Sequence, residues 1–428
     1  MTASRPRPSG DGGSNAGLES GLREALLSGT VMSSTPAYEV DGVRPSVVAI
    51  PGSAAEVAAA LRAADERGAA VIPRGAGSEM ALGMPPQRHD VALDLGRLDG
   101  IVEYEPADLT VTVQAGAKLA DVQRRLAENG QWLPLDPPCR PSATIGGVLA
   151  TNASGPSRIA FGTARDLVIG MTVALADGQV VKSGGRVVKN VAGYDMAKMH
   201  IGALGTLGVI VQATFKVAPL PKASRTLSIA GADTAALTRL AFAVRDGGLP
   251  ATGIALTQPL GTSAARLLLR FAGSLAAVDR SCLHCERLAS EYAWAAEQGP
   301  ESIWQELASA RSPDAGAVVR ISHQPSMTGT LLAGIASLNG DILSYPSVGM
   351  TYARVIALPE ESYEAVRALR ATADAGGGAL VLEAAPPNAK QAIGVWGSPR
   401  ADFELMRRLK AELDPRATLN PGRFAGGI

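Results

Sequence analysis

Residues 144–155 read Thr-Ile-Gly-Gly-Val-Leu-Ala-Thr-Asn-Ala-Ser-Gly, and this stretch decides the fold. It is too rich in small residues for a core helix and too apolar for a solvated linker. Glycine lets the backbone approach a ligand closely, while the polar groups of Thr144, Asn152 and Ser154 can satisfy a ligand's polar edge. Taken alone, the pattern fits a buried turn as well as the wall of a cavity for a large, flat ligand.

The composition narrows the class of protein. A chain of 428 residues with 46% hydrophobic residues predicts a globular protein of two or three domains. Forty basic and forty acidic side chains leave no net charge to attract nucleic acid or an anionic membrane. An aromatic content of 4% also removes the stacking surfaces that single-stranded nucleic acid needs. We therefore expect no nucleic-acid partner.

The cysteines and the N-terminus bear on the cell compartment. Three cysteines cannot build a disulfide framework, and no run of about 20 apolar residues indicates a membrane span. The first sixteen residues are rich in Gly, Ser, Pro and Arg and lack the apolar segment of a secretory signal. These features predict a cytoplasmic protein with a disordered tail over residues 1–35.

A glycine loop follows the second predicted strand. An apolar run over 45–51, a capping box formed by Ser53 and Glu56, and a helix ending near Gly68 lead to a strand that begins at Val71. The loop then reads Pro-Arg-Gly-Ala-Gly-Ser over 73–78. Converging backbone N–H groups in such a loop suit a pyrophosphate, although a tight surface turn would have the same composition. The third glycine of a Rossmann pattern is absent.

Further strands and a second small-residue segment follow. Alternating residues over 91–113 predict strands, residues 118–129 a helix, and Asp177-Gly178 a hairpin turn between strands 168–176 and 179–182. Small residues then recur over 188–195 and 202–208, before a strand over 209–217. Close helix packing is an equal alternative for these glycines.

The chain changes character after Pro221. Two similar units follow, with strands at 226–229, 254–257 and 266–271 and helices at 234–246 and 275–294 in the first. The second has strands at 318–322, 341–345, 352–358 and 379–383 and helices at 327–337 and 360–375. This order predicts an antiparallel sheet with helices on one face. A last helix over 403–413 precedes Leu-Asn-Pro-Gly-Arg at 419–423.

Four motifs in this order resemble the vanillyl-alcohol-oxidase (PCMH-type) FAD-binding superfamily: the 73–78 loop, the 144–155 stretch, residues 189–209 and Asn420-Pro421-Gly422. Within it they are most similar to the FAD-binding subunits of bacterial glycolate oxidases, over roughly residues 40 to 425. The resemblance implies an α+β fold with a PCMH-type FAD domain over 36–220 and an inserted cap domain over 221–402. Residues 403–428 would return to the FAD domain.

The resemblance also implies roles for individual residues. The pyrophosphate would be held by Arg74, Gly75, Ala76, Gly77 and Ser78. The ribityl chain and flavin would be lined by Ser142, Ala143, Thr144, Gly146, Gly147, Asn152 and Ser154. Val209 and Ile210 would make backbone contacts toward the adenine, and Asn420 would lie near the isoalloxazine.

Two absences shape the functional prediction. Relatives that attach FAD covalently often carry a histidine in the glycine loop, and this loop has none, so FAD is expected to be noncovalent. Related 2-hydroxy-acid dehydrogenases resemble one another in a C-terminal histidine-rich motif, whereas the four histidines here are His89, His200, His284 and His323. No catalytic residue can be assigned, and Arg354 and Arg423 are the candidates for binding a substrate carboxylate.

The cysteines admit two interpretations each. Cys282 and Cys285 form a CxxC around His284 that could bind zinc or exchange disulfides, but without a second ligand cluster ordinary helix residues are favoured. Cys139 precedes the 144–155 stretch and could contact the cofactor, or form a rigid turn with an unreactive thiol. No metal site is predicted.

The leading functional hypothesis is an FAD-binding subunit of a glycolate oxidase type complex that takes part in electron transfer from 2-hydroxy-acid oxidation. The resemblance implies two partners: a sister FAD-dependent catalytic subunit and an iron–sulfur subunit. The complex could also bring the chain to a membrane. The alternatives are a self-sufficient FAD-dependent 2-hydroxy-acid dehydrogenase, a nonredox scaffold with an FAD-type fold, and a reductase that uses nicotinamide.

Overall fold

The computed structural model describes residues 13–138, 141–185, 195–309 and 316–428. The helices are α1 Gly13–Ala25, α2 Ala54–Glu66, α3 Leu119–Ala127, α4 Ile145–Thr151, α5 Arg158–Phe161, α6 Ala164–Leu167, α7 Ala197–His200, α8 Thr234–Asp246, α9 Leu275–Ser290, α10 Ile303–Ser309, α11 Thr328–Ile335, α12 Tyr363–Ala375, α13 Pro387–Ile393 and α14 Phe403–Leu413. The strands are β1 Thr30–Ser33, β2 Val47–Ile50, β3 Val71–Arg74, β4 Val91–Asp94, β5 Ile101–Glu105, β6 Thr110–Gln114, β7 Gln131–Trp132, β8 Val168–Ala174, β9 Val180–Gly184, β10 Val209–Lys216, β11 Ala218–Pro219, β12 Ala223–Gly231, β13 Ala251–Gln258, β14 Ala265–Gly273, β15 Ala296–Gly299, β16 Ala317–Ser322, β17 Asp341–Tyr345, β18 Met350–Val355 and β19 Ala379–Ala384.

The N-terminal region is ordered from residue 13 onward. Leu18, Leu22 and Leu26 recur every four residues, so they share one face and are buried against the core, with α1 packed on α2. Strand β1 then pairs antiparallel with β2. The prediction of a disordered tail over 1–35 is therefore wrong for residues 13–35, because this leucine stripe has an apolar surface to bury. Residues 1–12 lie outside the described part of the chain.

Two sheets share the first hydrophobic core. In one, the strand order is β1-β2-β4-β3, and β4 is parallel to both β2 and β3, as the predicted βαβ opening requires. Helix α2 begins where predicted, since the Ser53 side chain accepts a hydrogen bond from the Glu56 N–H. In the other sheet, of order β5-β6-β10-β8-β9, neighbouring strands run antiparallel. The predicted Asp177-Gly178 turn connects β8 and β9, with Gly178 at φ +82°.

The 144–155 stretch contains a helix, which corrects the expectation that it was too rich in small residues to form one. Helix α4 buries Ile145, Val148 and Leu149 on one side. The side chain of Thr144 caps it by accepting from the Gly147 N–H. The short helix therefore has an apolar face toward the core and presents its two glycines elsewhere.

The second half of the chain builds the eight-stranded sheet seen among the described residues, with order β15-β12-β14-β13-β17-β18-β16-β19 and antiparallel neighbours. Helices α8, α9, α11 and α12 cover one face, as predicted, and bury residues such as Leu237, Cys285, Leu331 and Val366 against it. Helix α9 ends at Ser290 instead of Trp294. Strand β15 and helices α10 and α13 were not predicted.

The C-terminal segment lies beside β3, far from it in sequence. After α14, which has its predicted bounds, Val71 N–H donates to the Thr418 carbonyl at 2.7 Å and Asn420 N–H to the Val71 carbonyl at 3.0 Å. Buried Lys410 holds this segment by donating to Asp414, Leu419 and Thr206. The strand that leads into the glycine loop thus has the C-terminal turn as its neighbour. Within the described ranges, no helix is both long and apolar enough to cross a bilayer.

Candidate functional site

A cavity of about 750 Å³ lies between the glycine loop, α4, the start of β10 and the C-terminal turn. The predicted cofactor residues that line it are Arg74, Gly75, Ala76, Gly77, Ser78, Thr144, Gly146, Gly147, Val209, Ile210 and Asn420. Segments more than 340 residues apart in the chain therefore converge on one cavity.

Four predicted residues lie outside the lining of this cavity: Ser142, Ala143, Asn152 and Ser154. Ser142 is exposed, and the Ala143 carbonyl accepts from the Leu119 N–H. Asn152 ends α4 in the left-handed region at φ 50°. The Ser154 hydroxyl accepts from Arg158. The physical reason is that residues 145–151 are helical, so only one side of the helix faces the cavity and the residues beyond its ends point elsewhere.

The glycine loop packs too tightly for any other residue at two positions. A Cβ atom on Gly75 would overlap the Thr144 Oγ1 atom. Gly77 has φ +82°, and a Cβ there would overlap the guanidinium of Arg74. Gly75 therefore lets the loop backbone approach the start of α4, and Gly77 lets the loop adopt a left-handed backbone conformation. Glycine loops of this kind can bind phosphates through their backbone N–H groups.

Arg74 is held at the loop by its neighbours. Its Nη1 atom donates to the Ala37 carbonyl at 2.6 Å, and its guanidinium lies 4.5 Å from the centre of the Tyr38 ring. The Nε atom is buried and has no hydrogen-bond partner among the described residues. Burial raises the pKa of Tyr38, whose hydroxyl donates to Asp94. A positive charge with spare hydrogen-bonding capacity is thus fixed beside the loop.

The C-terminal turn supplies two buried polar side chains. The Asn420 Nδ2 atom donates to the Leu204 carbonyl at 2.6 Å, while its Oδ1 atom has no partner in the described structure. The Arg423 Nη2 atom donates to the carbonyls of Met80 and Leu82 at 2.6 and 2.7 Å. Burial lowers the pKa of Arg423 to about 10, so the side chain stays charged at neutral pH. Both residues line the cavity.

A second buried cation, Lys390 of the cap, contacts Ala81, which lies between the two residues that Arg423 contacts. The Lys390 Nζ atom on α13 donates to both carboxylate oxygens of Asp41, at 2.7 and 2.9 Å, and to the Ala81 carbonyl at 2.5 Å. Burial lowers the pKa of Lys390, and the Asp41 carboxylate opposes this shift. No sequence pattern predicted this pair, because its members are 349 residues apart and each is an ordinary charged residue by itself.

The remaining candidate side chains lie elsewhere. Burial lowers the pKa of His89 and His200 to about 4 and also lowers that of His323, and none of the four histidines belongs to the described lining of the cavity. Arg354 forms an ion pair with Asp341 in a separate cavity on the cap sheet. It therefore cannot serve as a carboxylate binder in the first cavity, whereas Arg423 lies there.

The cysteines that can be described are helix residues, as favoured. Cys282 and Cys285 are buried, free thiols in α9, and burial raises the pKa of Cys285 to about 12. Such thiols are unreactive near neutral pH. Across the described ranges, no group of three His, Cys, Asp or Glu residues could hold a metal ion. Cys139, like residues 188–194 of the second small-residue segment, lies outside the described residues.

Comparisons with known proteins bear on this cavity. Residues 45–184 match the FAD binding domain family. The chain is 34% identical over 193 residues to glycolate oxidase subunit GlcD of Bacillus subtilis, covering 45% of this chain and 40% of that protein. It is 37% identical over 158 residues to glycolate oxidase subunit GlcE of Escherichia coli, covering 37% and 45%. The aligned part thus spans less than half the length of either relative.

A third relative aligns along most of the chain. The probable mitochondrial D-lactate dehydrogenase of Danio rerio is 26% identical over 421 residues, covering 89% of this chain and 84% of that protein. Among solved structures, p-cresol methylhydroxylase with substrate bound superposes with a TM-score of 0.74 at 16% identity, covering 96% and 97% of the two chains. An alkyldihydroxyacetonephosphate synthase superposes with a TM-score of 0.69 at 18% identity, covering 89% and 78%. These structures share the fold.

Residues 45–184 are therefore an FAD-binding domain of the PCMH type, and the chain is related to FAD-dependent oxidoreductases, 2-hydroxy-acid oxidases and dehydrogenases among them. The predicted α+β fold and the predicted cofactor, FAD, are confirmed.

Proposed function

We propose that this chain is the FAD-binding subunit of a glycolate oxidase type complex and takes part in electron transfer from 2-hydroxy-acid oxidation. Its partners would be a sister FAD-dependent subunit, which carries the substrate site, and an iron–sulfur subunit, which accepts electrons. We place the chain in the cytoplasm, with any membrane contact made through the complex. The observation that carries the proposal is the cavity between the glycine loop, α4, β10 and the C-terminal turn, whose described lining has no histidine.

The cavity residues fit FAD in three parts. The loop from Arg74 to Ser78 would bind the pyrophosphate through backbone N–H groups and the arginine charge. Ala115, Val209 and Ile210 offer an apolar, closely approached surface for the adenine. The end near Asn420 would take the isoalloxazine, which supplies the two-electron acceptor chemistry when bound. No histidine or cysteine lies in the described lining, so attachment would be noncovalent.

Substrate oxidation makes further demands on a site. A 2-hydroxy acid needs a base within hydrogen-bond reach of its proton and a cation or metal for its carboxylate. The one carboxylate in the described lining belongs to Glu79, in the glycine loop, and Arg423 already donates to two backbone carbonyls. These residues favour a substrate site on another subunit. They also define the second candidate function, a self-sufficient dehydrogenase with Glu79 as base and Arg423 as carboxylate binder.

A reconstitution assay separates the two functions. The chain purified alone, loaded with FAD, should release intact FAD on acid precipitation and should oxidise glycolate and D-lactate negligibly with an artificial electron acceptor. Turnover should return when the chain copurifies with its sister and iron–sulfur subunits. Robust turnover by the isolated chain would establish the second candidate instead, and Glu79→Gln should then abolish it.

A further inference from the structure

The segment Met80 to Leu82, which directly follows the glycine loop, is held by two buried cations. Arg423 donates to the carbonyls of Met80 and Leu82, and Lys390 donates to the Ala81 carbonyl between them. Arg423 is 3% exposed and the Lys390 side chain is fully buried. Three successive carbonyls therefore face fixed positive charge, and two of these residues, Met80 and Leu82, line the cavity.

Two cations and one carboxylate meet at this segment. Asp41 is paired with Lys390 at 2.7 Å and also attracts Arg423, so two cations share one carboxylate. His89 is neutral near pH 7 because burial lowers its pKa to about 4. Farther along the lining, Arg74 lies opposite Asp94 in the β3–β4 pair. Arg423 therefore brings a buried positive charge to the wall of the cavity.

The same end of the cavity adjoins the cap. Leu82 and Leu204 line the cavity and belong to the hydrophobic core of the cap sheet and its helices. Other lining residues, Ala115, Val209 and Ile210, belong to the five-stranded sheet of the FAD domain or adjoin it. With the pyrophosphate at the loop, the adenine would lie against this sheet and the isoalloxazine against the cap. The redox-active ring must meet its electron donor, and the boundary between two domains suits it.

We propose that Arg423 is a positioning and tuning residue whose buried charge stabilises reduced FAD relative to oxidised FAD. This rests on the proposed FAD site and adds a property of its own. Two-electron reduction of the ring with uptake of one proton leaves one negative charge on it, which a nearby buried cation stabilises. The cation is pre-positioned, since its hydrogen bonds to Met80 and Leu82 exist without the cofactor.

The test is the midpoint potential of FAD bound to the full chain, measured by equilibration with redox dyes. Arg423→Gln keeps a hydrogen-bond donor but removes the charge, and should reduce the preference for reduced FAD about tenfold, which is about 30 mV for a two-electron couple. Arg423→Lys keeps the charge and should retain the wild-type potential. Equal potentials in Arg423→Gln and wild type, with FAD bound in both, would overturn the proposal.

A second pair of variants covers a failure of Arg423→Gln to fold. Met80 is half-buried and lines the same end of the cavity, so Met80→Lys should raise the potential and Met80→Glu should lower it. Identical potentials in these two variants would overturn the placement of the ring. Arg354→Met, in the separate cap cavity, should leave the potential unchanged. A wild-type chain that binds no FAD would instead contradict the FAD-subunit function itself.

Discussion

The proposed FAD cavity and the cavity on the cap sheet are built in opposite ways. The first is lined largely by glycines, small residues and backbone, with Arg74 and Arg423 at its wall. The second, of about 1300 Å³ including space open to solvent, is lined by long side chains from several strands, among them Arg266, Tyr352 and the Arg354–Asp341 pair. The first cavity forms because glycines and other small residues leave space, whereas the second is bounded by long side chains.

This difference explains what each region reveals in sequence. A cavity made by backbone approach requires glycine at fixed positions, so its signature is short and local. A cavity made by side chains on neighbouring strands depends on register and has no local signature. The sequence of the glycine loop could therefore indicate a ligand site, whereas the sequence of the cap predicts a sheet and does not indicate a ligand.

The largest effect is expected where the two regions meet, at the buried Lys390–Asp41 pair. Lys390→Met leaves Asp41 without its partner and should destabilise the chain by about 3–5 kcal/mol, measured by denaturant unfolding. Lys198→Met is the control, because its pair with Asp195 is exposed and such pairs contribute about 1 kcal/mol or less. Similar losses of stability in both variants would show that Lys390 does not connect the cap to the FAD domain.

Acid should destabilise the FAD domain through its buried histidines. His89 and His200 have a folded pKa of about 4, below the unfolded value near 6.5. The unfolded state therefore binds more protons below pH 6.5, and stability is lost as the pH falls from 6.5 toward 4, by at most about 3 kcal/mol for each histidine. Unfolding measured across this range should show a shallower pH slope for His89→Gln and for His200→Gln. An unchanged slope in both variants would contradict this source of acid sensitivity.

A smaller effect is expected from a single methyl group in the glycine loop. Gly75→Ala places a Cβ atom onto Thr144 Oγ1, and such overpacking costs about 1–3 kcal/mol, so FAD should bind about ten- to a hundredfold more weakly. Gly329→Ala is the matched control, because a Cβ on this cap glycine meets no atom within 4 Å. Titration of each purified chain with FAD, followed by flavin fluorescence, measures both. Equal FAD affinities of the two variants would show that the glycine loop tolerates an added methyl group as well as the cap does.

Local signals in the sequence predicted the elements that frame the site. The Ser53 cap, the Asp177-Gly178 turn and the bounds of α14 all depend on residues within a few positions of each other. The leucines at 18, 22 and 26 were an equally local signal for α1, obscured by the polar residues before them.

Long-range contacts could not be predicted in the same way. Helix α4 forms despite its glycines because Ile145, Val148 and Leu149 bury against strands that the local sequence does not show. This is why Asn152 and Ser154 lie outside the lining. The cations at Met80–Leu82 depend on partners hundreds of residues away, so only the folded chain brings Arg423 and Lys390 together.

The central claim, that the chain holds FAD but does not itself oxidise a 2-hydroxy acid, has one direct test. The purified, FAD-loaded chain is mixed anaerobically with excess glycolate or D-lactate while the flavin absorbance is recorded, and dithionite is added last. We expect flavin bands that persist with either hydroxy acid and disappear with dithionite. Rapid bleaching by a hydroxy acid alone would contradict it.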